Sequence, residues 1–94
     1  MIVAVDFDGT LWTKKTANLP LIARLRAAQQ QGHTVILWTC REGEALREAL
    51  TILREHGFVP NFVNRNAPET IARLRRDPRK VFADVYIDDK GVNP

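Results

Sequence analysis

A chain of 94 residues has room for one domain, residues 1–94, and a domain this small buries only about 60–65% of its unfolded surface. Its 45% apolar and 27% charged content and its net charge of +3 belong to an ordinary soluble globular protein, not to a disordered or fibrous one. No apolar run approaches the roughly 20 residues of a membrane span, Met1 leads into a strand rather than a signal sequence, and the lone Cys40 excludes an internal disulfide. A cytoplasmic protein that does not use membranes is expected.

In chain order, Ile2-Val3-Ala4-Val5 is apolar at successive positions, as suits a strand buried on both faces. It runs into Asp6-Phe7-Asp8-Gly9-Thr10. Pro20, Leu21, Ile22, Leu25 and Ala28 predict a helix over 20–31 that Gly32 ends. The segment 34–38 predicts a second buried strand, with Trp38 in the core and Thr39, Cys40 and Arg41 at its carboxyl end. Ala45, Leu46, Ala49, Leu50 and Leu53 make the buried stripe of a second helix, stopped at His56-Gly57. Pro60 limits any strand in 58–63 to a short one at a sheet edge.

Asn66 is placed to cap a third helix, with Pro68 in its first turn, Ile71 and Leu74 on its buried face, and Asp77-Pro78 as its breaker. The last strand is expected at 85–87 and runs into Asp88-Asp89-Lys90-Gly91. His33 and His56 flank helix ends and read as polar caps, since neither has a partner at zinc spacing. Strand and helix alternation predicts an α/β fold, a three-layer Rossmann-like parallel sheet with helices on both faces. Ligands of such sheets bind beyond the carboxyl ends of the strands, where Asp6, Asp8, Thr39, Arg41, Asp88 and Asp89 all fall.

Two carboxylates with one residue between them divide the labour of phosphoryl transfer. Asp6 attacks phosphorus to give an acyl phosphate, and Asp8, re-aimed by a turn at Gly9, protonates the leaving oxygen and later takes a proton from water. Taken alone, the pair is equally a strand-terminal turn closed by an Asx bond. Four aspartates and a phosphate in one crevice need cations, and Mg2+ with one or two carboxylates, waters and a phosphate oxygen fits Asp6 and the Asp88-Asp89 pair. Lys80, with Arg79 second, is expected to hold the nucleophile and phosphoryl oxygens, and Thr39 to give its hydroxyl and N–H to the phosphoryl group.

The hydrophobic strand ending in Asp-Phe-Asp-Gly-Thr, a second strand ending in Thr39, Lys80 ahead of the last strand and the closing Asp88-Asp89 resemble the haloacid dehalogenase-like superfamily, over nearly the whole chain. The resemblance implies Asp6 as nucleophile and metal ligand, Asp8 as acid/base that also offers its carbonyl to Mg2+, and Thr39 as phosphate ligand. It implies Lys80 as the family's lysine, and Asp89 as direct ligand supported by Asp88, or the reverse. An acid at position 8 resembles the phosphatases of the superfamily more than its dehalogenases or ion pumps.

Segments 11–19 and 61–67 leave no room for the family's cap domain. The family core also continues past its Asp-Asp strand, so a four-stranded sheet with an exposed edge, or one covered by a partner subunit in a homo-oligomer, is expected. Gly9, Thr10, Trp12, Thr39, Cys40 and Arg41 are the candidate substrate contacts. Trp12 either stacks on an aromatic leaving group or packs the flap against the core; Arg41 pairs either with a second anion on the substrate or with Glu42 or Glu44.

The expected activity is a Mg2+-dependent phosphohydrolase acting on a phosphorylated small molecule or an extended phosphoester. One alternative is a non-catalytic phosphate- or nucleotide-binding module. Another is a nucleic-acid end-processing phosphatase that uses Arg73, Arg75, Arg76, Arg79 and Lys80 as an electrostatic track; nucleic acid is the less favoured partner, because the same cations serve a helix C-terminus.

Overall fold

The computed structural model describes residues 1–75 and 81–94. The chain is an α/β protein whose elements run β1 (Ile2–Val5), β2 (Trp12–Thr13), β3 (Thr16–Ala17), α1 (Leu19–Gln30), β4 (Thr34–Leu37), α2 (Gly43–Glu55), β5 (Phe62–Val63), α3 (Pro68–Leu74), β6 (Val85–Asp88) and β7 (Gly91–Asn93). The main sheet has the order β5-β4-β1-β6-β7. Its first four strands are parallel, with Val5 opposite Leu37 on one side and Ile87 on the other. β7 is antiparallel to β6, with Asp88 opposite Gly91.

Apolar alternation along the strands sorts the core into two clusters. Val3, Val5, Val35 and Leu37 pack with Ile22 and Leu25 of α1 and Ala49 and Leu53 of α2. Ala4 and Ile36, which point the other way because successive strand residues alternate, pack with Val81, Tyr86 and Phe62. Pro20 sits in the first turn of α1, where its missing N–H is not needed, and Asn18 caps that helix by accepting from Leu21 N at 3.2 Å. α2 ends at His56, whose Nδ1 contacts the Ile52 carbonyl at 2.8 Å, whereas His33 Nδ1 meets the N-terminal amine at 3.2 Å.

Five features depart from the sequence expectations. The sheet has five strands rather than four, because the residues after Asp88-Asp89 turn back and pair with β6. The flap holds a two-stranded hairpin, with Trp12 opposite Ala17 and its tip Lys14-Lys15 in left-handed backbone (φ 50° and 60°). β4 stops at Leu37, leaving Trp38 45% exposed and edge-on to Tyr86 instead of in the core. Asn66 does not cap α3; its buried Oδ1 accepts from Phe82 N at 2.7 Å, and Ala67 holds the cap position without a side-chain bond. Leu74 and Ala45 are exposed, so the buried contact of α3 is Thr70, and α2 turns Leu46, Ala49, Leu50 and Leu53 inward.

β5 lies at the sheet edge and has only two residues, as Pro60 demands. Two asparagines lengthen it. Asn61 donates its N–H to Val35 O and accepts Val35 N on Oδ1, both at 2.8 Å. Asn64 donates its N–H to Leu37 O, accepts Thr39 N on Oδ1 and returns Nδ2 to Thr39 O, at 2.8, 2.8 and 2.9 Å. Their amides thus continue the ladder that the short strand cannot. Among the described residues no helix is long and apolar enough to cross a membrane.

Asn61→Ala orphans the N–H of fully buried Val35, at a cost of about 1–3 kcal/mol. Urea unfolding should show a lowered midpoint with an unchanged slope; an unaltered midpoint would show that the amide adds nothing.

Candidate active site

The chain leaves β1 through a coil wound around one carbonyl. Phe7 O accepts the N–H groups of Thr10, Leu11 and Trp12 at 3.2, 2.9 and 3.0 Å, and Gly9 N returns to Trp12 O at 2.9 Å. Fully buried Phe7 and Leu11 anchor this coil, so Asp6 and Asp8, on either side of Phe7, are the residues held at the surface. Gly9 takes φ +80°, and a Cβ there would come within 3.3 Å of Asp89 Cβ. The first acidic loop and the last therefore touch, and the touch requires glycine.

Asp6 continues the sheet by donating its N–H to Ile87 O at 2.9 Å, while its Oδ1 accepts Phe7 N at 2.8 Å. Partial burial pushes its carboxyl above the usual range. The Phe7 N–H opposes that, and the nearby charges of Asp8, Asp89 and Asp88 add to the rise. Asp88, at the end of β6, accepts Lys90 N on Oδ1 at 2.8 Å. The charges of the other three acids read from the sequence thus all reach Asp6, at the carboxyl ends of neighbouring strands.

Arg41 does not pair with Glu42 or Glu44; Glu44 pairs with Arg47. Instead Arg41 grips Asp8 with both arms of its guanidinium, Nε to Oδ2 and Nη2 to Oδ1, each at 2.9 Å. Its third arm donates to Ala45 O at 3.1 Å, and its Cζ stands 4.7 Å over the Phe7 ring. The hydrogen bonds from Arg41 hold the Asp8 carboxyl below its ordinary range. Asp8 in this state is an ionised hydrogen-bond acceptor, not a proton donor.

Thr39 is buried, and its N–H is committed to Asn64, so it is not available to a phosphoryl group as the sequence reading expected. Its Oγ1 accepts Arg41 N at 3.1 Å, which leaves the hydroxyl proton as its donor. Thr10 is buried too, and its Oγ1 has no hydrogen-bond partner among the described residues. A cleft of about 350 Å³ runs past Gly9, Thr10, Asn18, Arg24, Asp88 and Asp89. Trp12 is half-buried and lies stacked on Phe7 (centroids 6.2 Å, planes 10° apart), which packs the flap against the core. Cys40 is an exposed thiol.

Lys80 and Arg79 lie outside the described residues, as do Arg76 and the expected Asp77-Pro78 breaker; Arg73 occupies the last turn of α3, where its charge suits the helix dipole. Sequence reading missed Asn64, which fixes Thr39, and Phe7, which carries the loop and the guanidinium. The asparagines at 61, 64 and 66 were the available signal.

Among the described residues no three Asp, Glu, His or Cys side chains are gathered as a metal cage. Mg2+ does not ask for one, since it takes one or two carboxylates and keeps waters. Asp6, Asp88 or Asp89 and the carbonyl of Asp8 are the oxygen donors that would hold it, and a cation would relieve the repulsion that adds to the effect of burial at Asp6.

No protein-family model matches the chain, and no curated protein matches it. A solved structure of a conserved protein from Bacteroides thetaiotaomicron is similar, with 35% identity and a TM-score of 0.80 over 100% of this chain and 82% of that one.

Asp6 and Asp8 pull stability in opposite directions. A carboxyl raised by folding binds protons more tightly in the folded state, so stability falls as pH rises from 3.8 through the raised range. Asp6→Asn should therefore raise Tm at pH 7 by a few degrees, about 1 kcal/mol being worth about 4–8 °C in a domain this small, with no gain near pH 3 to 3.5, below the ordinary carboxylate range. The Asp8 contribution is present above 3.8 and is lost as pH falls through its lowered range. With Asp8 56% exposed, Arg41→Met should cost no more than about 1 kcal/mol at pH 7 and progressively less in acid. Thermal melts of both variants between pH 3 and 7 check the two signs.

Proposed function

The chain belongs to the family of the conserved Bacteroides thetaiotaomicron protein, and for it we propose a capless phosphohydrolase of the haloacid dehalogenase-like type, hydrolysing a phosphomonoester with Mg2+ through an aspartyl-phosphate. The observation that carries this reading is the placement of Asp6 and the Asp88-Asp89 pair at the carboxyl ends of adjacent parallel strands, with Gly9 packed against Asp89, at the end of the sheet where such folds bind ligands. In this reading the sheet is the minimal three-layer, Rossmann-like core of that superfamily. Clustered like charge costs stability, and a protein keeps it where the charge is used.

Asp6, at the end of the central strand, is the nucleophile. Its carboxylate oxygen bonds to phosphorus as the bond from phosphorus to the ester oxygen breaks, and the departing oxygen takes a proton from Asp8, which can carry one only after it has left the grip of Arg41. Water then attacks the same phosphorus and gives its proton to Asp8, inorganic phosphate leaves, and Asp6 is regenerated. The Thr39 hydroxyl donates to a phosphoryl oxygen, and Lys80 neutralises phosphoryl charge. Asp6, Asp89 or Asp88 and the Asp8 carbonyl would hold Mg2+, which would supply charge neutralisation to the phosphoryl oxygens. With no cap over the cleft, the substrate is a phosphorylated small molecule or an extended phosphoester.

A second reading, a phosphate- or nucleotide-binding module without turnover, draws on the Arg41 grip that engages both oxygens of Asp8. Turnover separates the two. Hydrolysis of phenyl phosphate should require Mg2+, stop with EDTA, and fall by at least about 10³-fold in Asp6→Asn, in keeping with loss of a group essential to covalent catalysis. Tight phosphate binding by calorimetry without turnover would instead select the binding module.

A further inference from the structure

Arg41 is held at the mouth of the site independently of the carboxylate it grips. Its backbone N–H is tied to Thr39 Oγ1 at 3.1 Å, its Nη1 to Ala45 O at 3.1 Å, and its Cζ lies 4.7 Å above the ring of buried Phe7. Ring, carbonyl and backbone orient the remaining edge of the guanidinium, Nε with Nη2, toward the acidic loop. That edge forms two parallel bonds with any planar pair of oxyanion oxygens. Asp8 fills it now, with each oxygen at 2.9 Å from a guanidinium nitrogen.

The grip conflicts with work at an ester oxygen. To reach a leaving group, Asp8 must turn at least one oxygen away from Arg41, whose side chain is 20% exposed, and the vacated arm then loses its charge-assisted partner. Among the described residues Asp8 is the carboxylate bonded to Arg41, and Glu48 on α2 is the other carboxylate whose charge reaches it.

Resting on the phosphohydrolase reading, we propose that Arg41 is the specificity-determining residue of this site and that its substrate is a phosphomonoester carrying a second oxyanion, a carboxylate or phosphate on the organic part. The second oxyanion takes the place of Asp8 on the guanidinium edge and frees the carboxyl for the leaving oxygen. Asp8 is thus a resident stand-in for the substrate's own anion. A phosphoester without one leaves Asp8 gripped and is turned over poorly.

The test compares kcat/KM for phenyl phosphate with that for meta- and para-carboxyphenyl phosphate, with Mg2+. The wild-type protein should favour at least one carboxylated ester by about tenfold or more, the return on one good charge-assisted pair. Arg41→Met should bring the ratio to about one, and so should Arg41→Lys, which keeps the charge and loses the planar edge; the lysine variant and a circular-dichroism check guard against a folding failure. Glu48→Gln should leave the preference in place. Turnover of phenyl phosphate with no preference, a preference that survives Arg41→Met, or one that disappears in Glu48→Gln overturns the assignment of Arg41 while the phosphohydrolase reading stands. If the wild-type protein hydrolyses none of the three esters, both fall.

Discussion

β1 is hydrogen-bonded in parallel along both edges, to β4 and to β6, and the rest of the molecule follows from that placement. Parallel neighbours present their carboxyl ends on one side, so three strands that end in polar residues deliver them to a common rim. Val5 opposite both Leu37 and Ile87 sets the register, and a slip by one residue would drive the valines into the face that Ala4 now occupies. Buried apolar side chains thereby force acids together that would otherwise separate. The cost falls on Asp6, which is partly desolvated and feels three like charges.

The rim is built mainly from backbone. One carbonyl of Phe7 gathers three N–H groups, the close approach of Gly9 to Asp89 joins the two acidic loops, and Asn64 fixes Thr39 through both ends of its amide. Such anchoring leaves the functional side chains few rotamers to lose when a ligand arrives, which is the preorganisation that catalysis and tight binding share. Arg41 joins the β4 side of the rim to the β1 side across a space that secondary structure does not bridge.

Patterns that depend on consecutive residues were readable in the sequence. The apolar runs of β1 and β4, the helical spacing of Ile22 with Leu25 and of Ala49 with Leu53, and the limit that Pro60 sets on β5 all reappear in the fold. Features set by distant partners were not readable. Asn66 stands where a helix cap belongs, yet a stronger need, the N–H of Phe82 sixteen residues away, claims its side chain. Gly-Val-Asn at 91–93 carries little strand propensity and forms β7 because the edge of β6 is there to pair with. Arg41 had nearby glutamates in sequence, but a planar fork fixed over Phe7 meets Asp8 first. Lys80 lies outside the described residues, so the cation for the phosphoryl group rests on sequence alone.

The short β5 margin has a further consequence for self-association. An exposed strand edge invites other chains to add to it, and proteins that avoid aggregation keep such edges brief or interrupted. Here Pro60 precedes a two-residue strand, and the flanking positions spend their amides inward on Val35 and Thr39. An incoming strand finds almost no consecutive donors and acceptors to copy. The same asparagines that complete the ladder inside thus blunt it as a template outside.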